Sequence, residues 1–436
     1  MSRRRHDVQS RRMAIGTAAL ALAVLALPES AVAEVSLDVE GTAGYTDNLL
    51  RVPNGDDDVP VSIGLTGTWT ENTKHLSADV RGRVDAIEYL NDTYPGDVLG
   101  QLDGNVTWWA VPERFALVLD QAYGQISTDP FSPIGPANRQ NTNYLSVGPD
   151  WYIPLGERTR AYLGGRYGSV RYEETSDNNS ERLLGIVGMD RAVSSNSRLG
   201  VQASTEQLDY ESELQTDVDR NEAYVRYEFS RGALPELTVN AGYTWLSSEG
   251  YERSAPLLQL QLSREVSSSV NVQLELVSQF SDAGRTFAAG SSSSSPGGID
   301  PIVIPEGGVY EERGGRGLVE YRKSRTMLSL AVGMYDELYE TSTLDRRRYD
   351  AEVRAERRMT QRMTGVASAS WASNDYQSGG QERQDTDTEY RLELRREVGR
   401  RSSLSLVGMY SSRSSDDPLV EYDETRLYAV YSYSLR

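Results

Sequence analysis

Residues equipped for covalent or acid–base chemistry are scarce in this chain of 436 residues. It has no cysteine, which excludes a thiol nucleophile, a disulfide and a thiolate metal site. The only histidines are His6, inside a basic leader, and His75. A Ser-His-Asp arrangement would therefore have His75 as its one base, with no nucleophile motif to accompany it. Its place beside a short polar turn, Glu71 to Lys74, reads as a solvated turn residue. Asp56-Asp57-Asp58 could draw in a divalent cation, but the spacing of a calcium loop is missing, and a run of acids reads better as a hydrated loop tip. The expectation is no catalytic residue, no cofactor, no metal ligand and no enzyme activity.

The charges that do form a pattern form rows. Arg81, Arg83 and Asp85 alternate with Val80, Gly82, Val84 and Ala86. Glu352, Arg354 and Glu356 alternate with Ala351, Val353 and Ala355, and Glu389, Arg391, Glu393 and Arg395 alternate with Tyr390, Leu392 and Leu394. A period of two places charge on one face of a strand and apolar groups on the other. In a soluble sandwich the apolar face would be the core; in a membrane barrel it meets lipid and the charges line the lumen. An Arg or Lys facing lipid near mid-bilayer costs about 2 to 4 kcal/mol, so in a barrel these rows must point inward, where Arg and Glu can pair across strands.

The elements that would position such rows can be followed along the chain. Strand-like segments of about 10 residues or longer, the length of a tilted membrane strand, recur about 20 times between residue 34 and the C-terminus. Among them are 75–90, 236–247, 255–265, 363–375 and 385–397. One set of connections is short, such as Val111 to Arg114, Pro154 to Arg158 and Val398 to Ser402. The intervening set is longer and polar: Asp47 to Asp58, Glu173 to Glu181, Glu211 to Asp219, Asp282 to Gly308, Asn374 to Asp385 and Ser411 to Glu424. Loops sorted by length in this way mark an all-β chain: a transmembrane antiparallel up-and-down β-barrel of about 20 strands, with 18 the alternative, and both termini periplasmic. Tyr89, Trp108, Trp109, Trp151 and Tyr152 stand near strand ends, where aromatic girdles would lie. The loop Asp282 to Gly308 is the longest; it holds the low-complexity stretch Gly290 to Gly298, and could fold into the lumen or extend outside.

Residues 1–33 read as a cleaved secretory signal peptide: a basic segment from Arg3 to Arg12, an apolar stretch from Ile15 to Leu27 and a small-residue site at Ala31-Val32-Ala33. That leaves a single barrel domain over 34–436. The whole chain is at −19, and without the five Arg and two acids of the leader it would stand at −22. Nucleic acid is excluded as a partner by such a charge. Expected partners are outer-membrane lipid and lipopolysaccharide, whose phosphates the acidic loops could meet through divalent ions.

Tyr45-Thr46-Asp47-Asn48-Leu49, followed by a strand-turn-strand ending at Tyr89-Leu90, resembles the opening of the beta-barrel porin 2 family. Asp129-Pro130-Phe131, then Asn138-Arg139, Asn141, Asn143-Tyr144, Ser146 and Gly148-Pro149, resembles more closely the outer-membrane barrels associated with PEP-CTERM/exosortase systems. The resemblance extends over nearly the whole chain beyond the leader. It implies location in the Gram-negative outer membrane and a connection to exopolysaccharide and its export machinery. Two roles follow as expectations: a porin-like conduit or outer-membrane component of that export or surface-assembly system, and alternatively a non-conducting barrel that anchors surface polysaccharide or lipopolysaccharide. One departure from the barrel pattern is the end, where Tyr431, Tyr433 and Leu435 alternate but Arg436 follows.

Overall fold

The computed structural model describes residues 33–230, 235–290, 294–295, 298–299, 308–339, 345–378 and 381–435. The leader expected over 1–33 lies outside the described residues except for Ala33. Twenty strands form the wall: β1 (Glu34–Thr46), β2 (Pro60–Asn72), β3 (Leu76–Tyr89), β4 (Asp97–Val111), β5 (Phe115–Ile126), β6 (Gln140–Pro154), β7 (Thr159–Tyr172), β8 (Ser180–Ala192), β9 (Ser197–Tyr210), β10 (Val218–Ser230), β11 (Pro235–Ser248), β12 (Tyr251–Ser267), β13 (Val270–Asp282), β14 (Val309–Lys323), β15 (Thr326–Tyr339), β16 (Asp345–Arg358), β17 (Met363–Ser378), β18 (Gln381–Glu397), β19 (Ser402–Ser415) and β20 (Tyr422–Ser434). Each pairs antiparallel with its sequence neighbours, and β20 returns to β1 from Asp38↔Ser434 to Thr46↔Arg426. That last ladder closes the sheet into a barrel and removes both edges, so no row of strand N–H and C=O groups is left to face lipid unpaired.

Alternation fixes which way each side chain points. Along β18, Glu393 is 7% exposed whereas Leu392, its neighbour, is 67% exposed; on β19 Leu406, the partner of Leu394, is 57% exposed. Ile63, Leu183, Val332, Val353 and Leu427 are likewise exposed on the outside. A wall whose outer face is aliphatic and whose inner face is ionic is the wall of a barrel made for lipid. Because the strand number is even, the chain enters and leaves at the same end as the short turns, such as 324–325 between β14 and β15 and 398–401 between β18 and β19.

The longer loops gather at the other end, with two corrections to the expected boundaries. The span Asn374 to Asp385 is not a loop: β17 and β18 continue to pair through Asn374↔Asp385, Tyr376↔Arg383 and Ser378↔Gln381. Polar side chains sustain the extension, since Gln384 donates to Asp375 and Arg383 binds Asp385, so hydrophilic sequence there does not break the ladder. Strand β12 begins at Tyr251, not at 255, which leaves the two-residue turn Glu249-Gly250 at the loop end. Gly250 has φ of 96°, a backbone conformation that a side chain would resist.

Candidate functional site

The three predicted charged rows lie on β3, β16 and β18, with β17 between the last two. On β3, Arg83 binds Asp85 through Nε at 2.6 Å and Glu40 of β1 through Nη2 at 2.9 Å, and Asp85 is 0% exposed; Arg81, one step toward the turn end, is exposed. On β16, Arg354 pairs with Glu356 at 3.5 Å and Glu352 with Arg316 of β14 at 3.7 Å. On β18, Glu393 sits between Arg391 at 2.9 Å and Arg395 at 2.8 Å, and Glu389 meets Arg426 of β20 at 3.4 Å. Pairs two residues apart on one strand face the same side, so each row is neutralised partly along its own length and partly by Glu40, Arg316 and Arg426 on other strands.

Adjacent aromatics cannot share a face, and this corrects the expected girdle. Trp108 and Trp151 are exposed outside, but Trp109 and Tyr152 point inward, their rings 5.5 Å apart, with Arg160 over Tyr152 and Tyr162 6.2 Å beyond. Tyr89 is also interior, edge-on to Tyr94 beside Leu49, Ile87 and Leu99. The lumen therefore carries an aromatic strip near its turn end as well as charge.

At the loop end, three connections fold into the lumen. The longest begins with a helix, α1 (Ala283–Ala289), capped by Asp282, whose carboxylate accepts from Arg285 N at 3.1 Å. Phe287 and Ala283 pack on Ala122, Ile126, Val170 and Tyr172 of the inner wall, and Gly284 is required there: a Cβ would lie 2.8 Å from Val170 Cγ2. Beyond α1, Ser294–Ser295 pairs with Gly298–Ile299, and the rest of 291–307 lies outside the described residues. Beneath the helix is a buried ionic network that the sequence rows did not reveal. Arg182 of β8 grips Asp282 with both guanidinium nitrogens, Arg220 of β10 pairs with Glu206 of β9, Arg285 reaches Glu206 at 2.7 Å, and Arg220 lies 3.7 Å from Asp282. Its wall charges are spread over three strands, Arg182 on β8, Glu206 on β9 and Arg220 with Glu222 on β10, so no single row flags the set. The readable signal was Asp282 three residues ahead of Arg285, an N-cap spacing.

The second connection, 127–139, crosses the opening. Phe131 packs against Tyr376 of β17, their rings 4.9 Å apart and tilted by 56°, and Arg383 of β18 lies over the Phe131 ring and donates to the Phe131 carbonyl at 2.6 Å. The third, 47–59, brings Arg51 to Glu424 at 2.8 Å and to the Ile134 carbonyl at 2.6 Å, with its guanidinium over Tyr422. Arg51 adopts φ of 54°, which costs about 1 to 2 kcal/mol and is held by those contacts. Asp58 is not the hydrated loop tip expected. It is fully buried and accepts from the backbone N–H groups of Val59, Asn91 and Thr93. Burial would raise its pKa, but those hydrogen bonds prevail and hold it below the usual carboxylate range. His75 is exposed, with Nδ1 3.0 Å from the Trp109 carbonyl. Among the described residues no cluster of metal-ligating side chains occurs.

Among the described residues, α1 thus fills the mouth beside β5 to β13, and a hollow remains beside β14 to β20. The hollow is a cavity of about 370 Å³ roofed by Arg51, Pro130 and Ile134, with Arg316, Arg348, Asp350, Asn374, Glu389 and Arg413 in its walls. No family model matches the sequence, and no curated protein matches it. Solved structures of similar fold include the ferric enterobactin receptor PfeA of Pseudomonas aeruginosa, as a double mutant (9% identity, 92% of this chain and 80% of that one, TM-score 0.46). OccAB3 of Acinetobacter baumannii gives 12% identity, 92% and 99% coverage and a TM-score of 0.42. OpdK of Pseudomonas aeruginosa with vanillate gives 11%, 92%, 99% and 0.40. At this identity the likeness is one of barrel architecture.

Proposed function

We propose that this protein is an outer-membrane barrel of a Gram-negative cell, exported by a cleaved signal peptide, with its termini periplasmic and its lumen a narrow porin-like conduit for polar solutes. The observation that carries the reading is the inner wall: rows of paired Arg and Glu such as Arg391-Glu393-Arg395 are suited to water and unsuited to a sealed apolar interior. Barrels of about 16 to 18 strands hold an aqueous channel and those of about 22 are plugged, and a mouth narrowed by its own loops fits between the two. Purified protein in planar bilayers should conduct ions; a barrel that inserts and stays silent would overturn the reading. The resemblance of Asp129-Pro130-Phe131 and Asn138-Arg139 to PEP-CTERM-associated barrels supports placing the conduit within an exopolysaccharide export or surface-assembly system. Its deletion should then reduce surface polysaccharide without a general loss of solute uptake.

A second reading, a non-conducting barrel that anchors surface polysaccharide or lipopolysaccharide, is favoured by the inward loops, which join opposite walls through Phe131, Arg51 and Asp282. Silent bilayers together with lost polymer retention in the deletion strain would select it.

A further inference from the structure

We propose that the cavity under Arg51 and Ile134 is a binding subsite for a neutral polyhydroxylated ligand, a sugar residue or polyol, held by Asn374, Arg348 and Arg413. Its charges are already matched. Arg413 is bidentate to Asp387 at 2.7 and 2.9 Å, Arg316 meets Asp350 at 3.0 Å, Arg346 is bidentate to Glu337, and Arg51 is held by Glu424. An incoming anion would confront Asp350, Asp387 and Glu389, and an incoming cation would confront the arginines, so neither gains without breaking an existing pair.

What the pairs leave over is hydrogen-bonding capacity of both kinds. Arg413 Nη1 and Arg348 Nε are buried donors, and Asn374 Oδ1 is a buried acceptor, all without a hydrogen-bond partner among the described residues. Asn374 and Arg413 are both more than nine-tenths buried and both line the cavity. A buried polar atom left unpaired is costly, so a group that satisfies both kinds gains more here than at an open surface. A hydroxyl is such a group, since one oxygen accepts from a guanidinium N–H while its proton goes to an amide or carboxylate oxygen. Neighbouring hydroxyls on a ring repeat the arrangement, which suits a wall of alternating Arg and Asp or Glu. The volume, about 370 Å³, falls in the range of small-ligand sites, about 300 to 1,000 Å³.

The proposal needs the conduit reading only for access to the cavity. The test is isothermal titration calorimetry on the full chain in detergent micelles, with a panel of neutral oligosaccharides built of glucose, galactose or mannose units, and with inorganic phosphate and spermidine as charged probes. Saturable binding of a neutral oligosaccharide, with phosphate and spermidine weaker, is expected. Asn374→Leu, close in shape, should weaken it at least tenfold while the barrel keeps its heat-modifiable migration, and Arg413→Lys should weaken it comparably. Glu265→Gln on β12, outside the cavity lining, should leave it unchanged. Absence of binding across the panel, tighter binding of phosphate or spermidine, or undiminished binding by Asn374→Leu would overturn the proposal. A barrel that conducts but binds no saccharide sinks this inference alone, whereas one that binds but does not conduct sinks the conduit reading alone.

Discussion

Asp282 does three things with one carboxylate: it closes the pair with Arg182, faces Arg220 and caps α1 at Arg285 N. Asp282→Asn keeps the shape and can still cap, but removes the charge that offsets two buried guanidinium groups. Breaking a buried pair from one side costs about 3 to 5 kcal/mol, and a loss of that order is expected in unfolding midpoints of the refolded barrel. Replacing Arg347, whose partner Asp336 is near the surface, should be close to neutral by comparison. Asp58 works by hydrogen bonds instead. Its folded pKa is lowered, so its contribution is present above the ordinary Asp value and is lost as pH falls through the lowered one. Hydrogen exchange at 47–59 should therefore rise only at acid pH in the native chain. In Asp58→Asn, which can accept but carries no charge, it should already be raised at neutral pH. A native loop equally protected at acid pH would remove Asp58 as the anchor.

At the scale of the element, the strand is where sequence and structure agree best. All twenty wall strands were legible because a period of two is a local signal, and alternation such as Glu389 to Arg395 needs no tertiary information. Three things were not local. Trp108-Trp109 and Trp151-Tyr152 looked like girdle residues by position, yet neighbours on a strand must diverge, so one of each pair went inside. Polar sequence at Asn374 to Asp385 looked like loop, because above the membrane a ladder can be sustained by side-chain hydrogen bonds without apolar alternation. The mouth was illegible because its contacts join residues far apart in the chain, as Phe131 with Tyr376 or Arg182 with Asp282. The outward face of β18 gives the element's own prediction. Leu392, opposite Ala367 and Gly408 in mid-strand, becomes a lipid-facing cation in Leu392→Arg, at a cost of about 2 to 4 kcal/mol near the bilayer centre. Folding into lipid vesicles, followed by gel migration with and without heating, should show a reduced folded fraction; wild-type yield and stability would argue against a lipid exterior.

For the whole molecule, the arrangement of the mouth makes a graded prediction about flow. A closed barrel of twenty strands has a wide section, and its conductance is set by what stands in it. Here the obstacle is shared unequally: α1 is fixed on the inner wall by a buried apolar patch and an ionic network, whereas 127–139 spans the opening and is fastened to β17 and β18 at one point. Phe131→Ala should change conductance least, since the carbonyl of residue 131 can still take the Arg383 hydrogen bond. Arg383→Ala removes that bond and the cation over the ring together, and should raise conductance further and increase its fluctuation. Replacing 128–137 by a short turn should raise it most, while Gly284→Val, which drives a side chain against Val170, should add to it by dislodging α1 independently. Near-additivity is expected because the described fastenings differ: α1 is held by Arg182 and its apolar patch, and 127–139 by Arg383 and Arg51. Equal single-channel conductance across the series would mean that the limiting section lies elsewhere, and the aromatic strip at Trp109 and Tyr152 near the turn end is then where the next substitutions belong.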